Sequence, residues 1–242
     1  MFVKAHKDKN RWLLADPWGH ELVLPCRPDY TGRRVWIGTL GTKFEPNGLK
    51  DEKRKTLTRA TIMAHLLRDL GTPIYLLDVR RNGTGAQSSW SPAEFASLIP
   101  AAIGSGGRYG FSHLPILAPS TSLLAEYHKG QVSDWHDFRD RYNGEADEGA
   151  IAVARAFVEA ADYGGGMAVF LCAEPYCPDF DTLPAATQDA NHCHRFTLAH
   201  RVARQLHQAC STIMVERVDL DPGEYATRRK AGQPYEPHIV AL

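Results

Sequence analysis

The chain has 242 residues, of which 43% are hydrophobic, enough for the core of one large domain without cross-links. Lysine and arginine together number 28, as do aspartate and glutamate, so the formal net charge is zero. This balance excludes a general electrostatic attraction to nucleic acid or to an anionic membrane, and any such contact has to be local. No apolar run approaches the about 18 residues that a membrane-spanning helix needs, so we expect no membrane partner.

The cysteines favour a reducing compartment. They number five, and residues 1–12 are polar and basic, without the apolar stretch of a signal peptide. We therefore expect a cytoplasmic protein, in which clustered cysteines more often react or bind metal than form disulfides. Cys26 and Cys210 are interpreted as ordinary packing residues, which leaves the segment from Cys172 to Cys193 as the cluster of interest.

Short apolar runs rich in β-branched residues alternate with helical patterns along the chain. This alternation predicts βαβ units and a mostly parallel central sheet flanked by helices. The first core strand is predicted at 35–39, and a helix follows whose apolar residues end at Leu70, with Gly71 as its stop. A buried strand is predicted at 74–77.

The middle of the chain carries helix starts with clear caps. Residues 91–94, Ser-Pro-Ala-Glu, form a capping box with proline at the first helical position. Residues 113–117 are interpreted as a short strand, and Ser133 is predicted to cap a helix with an aromatic stripe. A further amphipathic helix is predicted at 148–162.

The last third begins with an uninterrupted apolar run at 167–171, as expected of a central parallel strand. The segment 175–191 holds three prolines and is interpreted as a loop or insertion. An amphipathic helix at 195–208 and a strand at 213–218 follow. We thus predict one α/β domain over 35–218, between an N-terminal extension, 1–34, and an extended C-terminal tail, 219–242.

The expected site lies at the carboxyl ends of the strands, because ligands of open parallel sheets bind there, beside helix N-termini. Polar and sulfur-containing side chains leave the predicted strand ends or begin the last long helix. These residues are Asp78, Arg80, His113, Cys172, Glu174, Cys193, His194 and Arg195.

Five short motifs around these residues occur in an order that resembles a known family. The motifs are Ile37-Gly38-Thr39, Leu77-Asp78-Val79-Arg80, His113-Leu114-Pro115, Leu171-Cys172-Ala173-Glu174 and Cys193-His194-Arg195. They are similar to those of the uncharacterised domain-of-unknown-function family 488, over residues 35–218. The resemblance implies an α/β fold and a shared site, but no particular chemistry.

This chain departs from the family pattern at 175–191, where the stretch between the two cysteine motifs is usually short. The insertion is expected to reshape or cover the site. There is also a looser similarity to rhodanese-like domains, in which an Asp-Val-Arg strand end precedes a strand, a cysteine loop and a helix that together bind an anion. The likeness is one of layout, since the compact cysteine-to-arginine loop of those domains is missing here.

The thiols have two interpretations. Cys193, at a helix start beside His194 and Arg195, should have its thiolate stabilised by the helix dipole and by positive charge, and is a candidate nucleophile. The alternative is a small buried residue that packs the helix start. Cys172 is expected to be a buried structural thiol unless it faces Cys193 across the site.

Metal binding is a further alternative. Cys172, Cys177, Cys193 and either His192 or His194 are the soft ligands that zinc prefers. Their spacing is irregular and paired Cys-x-x-Cys motifs are absent, so we predict no metal and no cofactor, with zinc as the less favoured possibility.

The charged residues are also ambiguous. Arg80 and Arg195 form a candidate fork for phosphate or carboxylate. Structural ion pairs, Asp78 with Arg195 or Arg80 with Glu174, are the alternative. Glu174 is a candidate general acid or base, or it orients an arginine. His113 is expected to line the same cleft.

The leading hypothesis is an enzyme that acts on an anionic, phosphate-bearing substrate such as a nucleotide or a nucleic-acid component. Arg80 and Arg195 would hold the anion, Cys193 would be nucleophile or ligand with Cys172 nearby, and Glu174 and His194 would move protons. A non-catalytic module that binds a nucleotide or nucleic acid, and a zinc-stabilised structural site, are the alternatives.

Overall fold

Two β-sheets and six α-helices make up the part of the protein that the computed structural model describes, which is residues 4–16, 18, 20–42, 44, 52–81, 97, 109–132, 134–173 and 193–242. The strands are β1 Lys4–Asp8, β2 Arg11–Ala15, β3 Glu21–Pro25, β4 Arg34–Gly41, β5 Ile74–Asp78, β6 Tyr109–His113, β7 Met167–Cys172, β8 Met214–Leu220 and β9 His238–Ala241. The helices are α1 Glu52–Asp69, α2 Thr121–His128, α3 Trp135–Glu145, α4 Glu148–Tyr163, α5 His194–Ala209 and α6 Pro222–Lys230, with a 3-10 turn at Pro115–Leu117. No helix in these ranges is long and apolar enough to cross a membrane.

The central sheet has the strand order β6-β5-β7-β4-β8-β9. The first five strands are parallel, and β9 pairs antiparallel with β8 at one edge. All six residues of β7 are buried, as expected of a strand covered on both faces. The predicted α/β class with a mostly parallel sheet is confirmed.

Most of the predicted elements that fall on described residues are present. The strands at 35–39, 74–77, 167–171 and 213–218 correspond to β4, β5, β7 and β8. The predicted helices ending at Leu70, at 148–162 and at 195–208 correspond to α1, α4 and α5. Gly71 has φ +66°, a left-handed conformation that suits glycine after a helix end. The predictions for 91–94 and 175–191 lie outside the described residues.

The strand predicted at 113–117 is misplaced. His113 is the last residue of β6, and Pro115 begins a 3-10 turn. Proline has no backbone N–H to give to a sheet, which is why pairing stops before it. The helix expected after Ser133 is confirmed as α3, but its cap is Asp134, whose carboxylate accepts a 2.9 Å hydrogen bond from the Asp137 amide; Ser133 lies outside the described residues.

The prediction of an extended tail over 219–242 is wrong. Residues Pro222–Lys230 form α6, and His238–Ala241 form the edge strand β9. The Asp221 carboxylate caps α6 by accepting from the Gly223 and Glu224 amides at 2.8 and 3.1 Å. Asp221 followed by Pro222 is a sequence signal for a helix start, with the cap before the first helical position.

The N-terminal segment forms its own antiparallel sheet, in the order β1-β2-β3, which packs against α4. Trp12, Leu14 and Leu24 are buried there. The contact is centred on the buried Glu159 of α4, whose carboxylate accepts from Lys7 Nζ at 2.7 Å and Trp12 Nε1 at 2.9 Å. Arg155 Nε donates to the other carboxylate oxygen at 2.7 Å.

Helices cover the central sheet on both faces. The core on one face contains residues of α4 and α5, and the core on the other contains residues of α1 and α6. Alternate residues of β7 point to opposite faces, so Phe170 and Cys172 join the first core while Val169 and Leu171 join the second. The Cys172 side chain therefore lies on the face that α5 covers.

Replacing Glu159 with alanine is expected to lower the free energy of unfolding by about 3–5 kcal/mol, because Lys7 and Arg155 lose a buried partner. Urea denaturation followed by circular dichroism measures this change. The matched control is Glu126→Ala, which removes an exposed ion pair with Arg141 and should change stability by less than about 1 kcal/mol. Equal effects of the two substitutions would contradict the central role of Glu159.

Candidate functional site

Backbone hydrogen bonds align the carboxyl ends of four strands at one edge of the central sheet. The Val79 amide donates to the Leu171 carbonyl at 3.1 Å, and the Thr42 amide donates to the Cys172 carbonyl at 2.9 Å. Asp78 is in register with His113 on β6 and with Leu171 on β7. The ends of β4, β5, β6 and β7 therefore stand side by side, as the sequence predicted for the site.

Cys172, Cys193 and His194 form a buried cluster at this edge. Their two Sγ atoms and one ring nitrogen all lie within 4.8 Å of one another. The Cys172 Sγ is 3.7 Å from His194 Nδ1, and the Cys193 Sγ is 4.0 Å from the same nitrogen. Cys172 thus faces Cys193 across the site, which was the condition set for a role beyond packing.

Two contacts orient the His194 ring. Its Nε2 lies 3.2 Å from the Val79 carbonyl oxygen, and since a carbonyl only accepts, Nε2 carries the proton and donates. The Tyr142 ring meets it edge-on, with centroids 5.6 Å apart. The Tyr142 hydroxyl donates to the Leu117 carbonyl at 2.6 Å. Nδ1 is therefore the nitrogen that faces the two sulfurs.

Cys193 is the N-cap residue of α5, and its own side chain makes no capping hydrogen bond to the helix. Burial is the largest influence on the pKa of Cys193 and acts to raise it. The hydrogen bond with Cys172, the charge of Arg195 and the contacts with His194 act in the opposite direction and prevail. The pKa of Cys193 is held well below that of an ordinary thiol, as expected for a cysteine at a helix N-terminus near positive charge.

Arg80 and Asp78 form a buried, two-pronged ion pair. The Arg80 Nε and Nη2 atoms donate to the two carboxylate oxygens of Asp78 at 2.9 and 2.8 Å. Asp78 thus pairs with Arg80, a partner that was not among those considered from the sequence. Glu174 lies outside the described residues, so its pairing with Arg80 and its role in proton transfer stay predictions, as does the fork of Arg80 and Arg195.

His113 lies beside this ion pair, at the end of β6. Its Nε2 is 2.8 Å from the carbonyl oxygen of Arg80 and donates to it. The ring therefore ties the segment after β5 to the neighbouring strand. His113 therefore lies at the strand edge where the sequence predicts it, and its part in substrate binding stays a prediction.

A second buried charged group lies on the α5 side of the same sheet. The guanidinium groups of Arg195 and Arg217 lie 4.5 and 4.6 Å from the centre of the Phe196 ring. Arg217 Nε donates to Asp219 at 3.0 Å, and the Thr39 hydroxyl donates to the same carboxylate at 2.6 Å. Cation–π contacts and hydrogen-bonded ion pairs of this kind compensate the burial of charge.

Sequence reasoning missed Arg217 and Asp219. Asp219 lies near the carboxyl end of β8, the same kind of position that selected Asp78. The signal was present, but the strand was predicted to end at 218, which left Asp219 in the tail. Cys177 and His192, the other zinc ligands considered, lie outside the described residues.

Comparison of the chain with protein-family models, with curated proteins and with solved structures finds no match. The resemblance to family 488 therefore stays a prediction from the order of the motifs, and the site has to be interpreted from its own geometry.

Among the described residues, the two cysteines outside the cluster, Cys26 and Cys210, should differ in reactivity. Burial raises the pKa of Cys26 to about 11, so on the order of one thiol in a thousand is thiolate at pH 8. The hydrogen bond with Thr212 is the main cause that lowers the pKa of Cys210, which is also partly exposed. We expect iodoacetamide at pH 8 to alkylate Cys210 well before Cys26, as peptide mapping by mass spectrometry would show. Raising the pH should reduce the difference between the two alkylation rates, and equal rates at pH 8 would contradict this prediction.

Proposed function

We propose that this protein is an enzyme that acts on an anionic, phosphate-bearing substrate, such as a nucleotide or a nucleic-acid component. One observation carries the proposal: Cys193 occupies the N-cap position of α5 at the carboxyl edge of the sheet, and its sulfur lies close to a second thiol and an imidazole. Reactive or metal-bound thiols are found in surroundings of this kind, whereas a packing residue needs none of these partners.

The preference for an anion is supported by the electrostatics of the helix start. The first turn of a helix carries backbone N–H groups that have no partner within the helix, and the helix dipole adds partial positive charge there. Arg195, the second residue of α5, favours negative charge on the Cys193 sulfur. Helix N-termini at the carboxyl edge of parallel sheets commonly bind phosphate groups.

In this proposal Cys193 supplies the reactive sulfur, as nucleophile or as ligand of an ion. His194 relays protons, because its Nδ1 faces both sulfurs while its Nε2 is held by the Val79 carbonyl. Glu174 is the further acid or base, and Arg80 with Arg195 holds the anion. Membership of family 488, a rhodanese-like arrangement and a cytoplasmic location are parts of the same proposal, supported by the motif order and the cysteine content.

A non-catalytic binding module is the second candidate. Cys193 is buried, with 1% of its surface exposed, and a buried sulfur suits a structural or ligand-holding role better than attack on an incoming substrate. The two candidates differ in whether a phosphate-bearing compound is changed or only bound.

Phosphorus NMR tests the enzyme without assuming a reaction type. We expect the full chain to convert at least one member of a panel of nucleoside monophosphates, nucleoside triphosphates and short oligonucleotides. Cys193→Ser and Glu174→Gln should each slow that conversion at least about 100-fold. Cys210→Ser, which changes a cysteine outside the cluster, should convert it at the wild-type rate.

Calorimetric titration with the same panel separates the two candidates. Binding without any conversion would favour the module over the enzyme. Conversion at an unchanged rate by both Cys193→Ser and Glu174→Gln would overturn the assignment of these residues.

A further inference from the structure

We infer that Cys172 Sγ, Cys193 Sγ and His194 Nδ1 form the protein part of a site for a soft divalent cation, best suited to zinc. The inference goes beyond the proposed activity and does not depend on it. The proposed function allows Cys193 to be either a nucleophile or the ligand of an ion, and this inference assigns it as a metal ligand.

The spacing of the three atoms is close to that of a tetrahedral zinc site. With bonds of about 2.3 Å to sulfur and about 2.05 Å to nitrogen, a tetrahedral ion places sulfur and nitrogen about 3.6 Å apart and two sulfurs about 3.8 Å apart. The two sulfur–nitrogen distances here are 3.7 and 4.0 Å, and all three atoms lie within 4.8 Å of one another.

The His194 ring is already oriented as a metal ligand. Metal-binding histidines almost always donate the N–H of the second ring nitrogen to a carboxylate or a backbone carbonyl, which fixes the tautomer. His194 Nε2 donates to the Val79 carbonyl at 3.2 Å, so the lone pair of Nδ1 points toward the sulfurs. The edge-on contact with Tyr142 further restricts the ring.

Charge and burial favour a cation in this place. All three residues are buried, and two thiolates away from water are strongly unfavourable without a compensating charge. A dication cancels the charge of two thiolates, and thiolate with imidazole is a ligand set that selects zinc over magnesium or calcium. The fourth position of the tetrahedron then belongs to a ligand other than these three atoms.

The test measures metal in the full, untagged chain, since a histidine tag would bind metal itself. After purification, elemental analysis should find about one zinc per chain. Exchange for cobalt should give the intense visible bands of tetrahedral coordination and thiolate-to-cobalt charge transfer. X-ray absorption of the zinc-loaded protein should show two sulfur neighbours at about 2.3 Å and at least one nitrogen at about 2.0 Å.

Variants assign the metal to the cluster. Cys172→Ser, Cys193→Ser and His194→Gln should each lower zinc content or affinity at least about 10-fold. The matched controls Cys210→Ser and His136→Gln, which change a partly exposed cysteine and an exposed histidine elsewhere, should bind zinc as wild type does. The X-ray absorption spectrum of the wild type provides a test that does not depend on the folding of any variant.

Three results would overturn the inference: no zinc or cobalt bound by the wild-type chain, an absorption spectrum without sulfur neighbours, or non-reducing peptide mapping that shows Cys172 and Cys193 joined as a disulfide in freshly purified protein. The outcome for the metal site can be separated from the outcome for the proposed enzyme activity. A chain that binds zinc but converts no phosphate compound keeps the metal site, and a chain that converts one without metal keeps the enzyme alone.

Discussion

The position of β7 between β4 and β5 is the constraint on which the site depends. Its residues are buried on both faces, and its backbone groups pair with both neighbours. Pairing with both neighbours and packing on both faces hold this strand in its register. Cys172 is therefore delivered to the edge of the sheet on the face that α5 covers.

The helix start is placed by a different kind of contact. The hydrogen bond from His194 to the Val79 carbonyl joins the first residue of α5 to the residue that follows β5. Packing of α5 against α4 and the sheet places Cys193 in the same core as Cys172. The strand β7 and the start of α5 supply the three residues of the cluster, and the segment after β5 orients His194. The geometry of the cluster thus follows from the hydrogen-bonded edge of the sheet and from the packing of α5.

Two buried ion pairs lie on the central sheet, Arg80 with Asp78 and Arg217 with Asp219. Pairs of this kind add little net stability, because burial costs about as much as their attraction gains, but removing one partner is strongly unfavourable. Their contribution is to hold strand ends and side chains in one arrangement. The same reasoning applies to Glu159, which fastens the N-terminal sheet to α4, the helix on which α5 packs.

The amino-acid sequence alone is sufficient to predict the α/β class, the core strands β4, β5, β7 and β8, and the helices α1, α4 and α5, because burial leaves a visible period in the order of apolar residues. It also determined that Asp78, His113 and Cys172 meet at one edge, since the carboxyl ends of parallel strands lie together. Weaker signals led to errors. The cap at Asp221 and the strand β9 fall in the predicted tail, and the strand predicted at 113–117 overlaps β6 only at His113.

The contacts between polar atoms follow from the tertiary structure and not from the local sequence pattern. Asp78 pairs with Arg80, His194 turns Nδ1 toward two sulfurs, and Asp219 joins Thr39 to Arg217. Each of these contacts is defined by a distance between side chains. Such distances depend on how helices pack on the sheet and on side-chain rotamers, neither of which is encoded in the local period of the sequence.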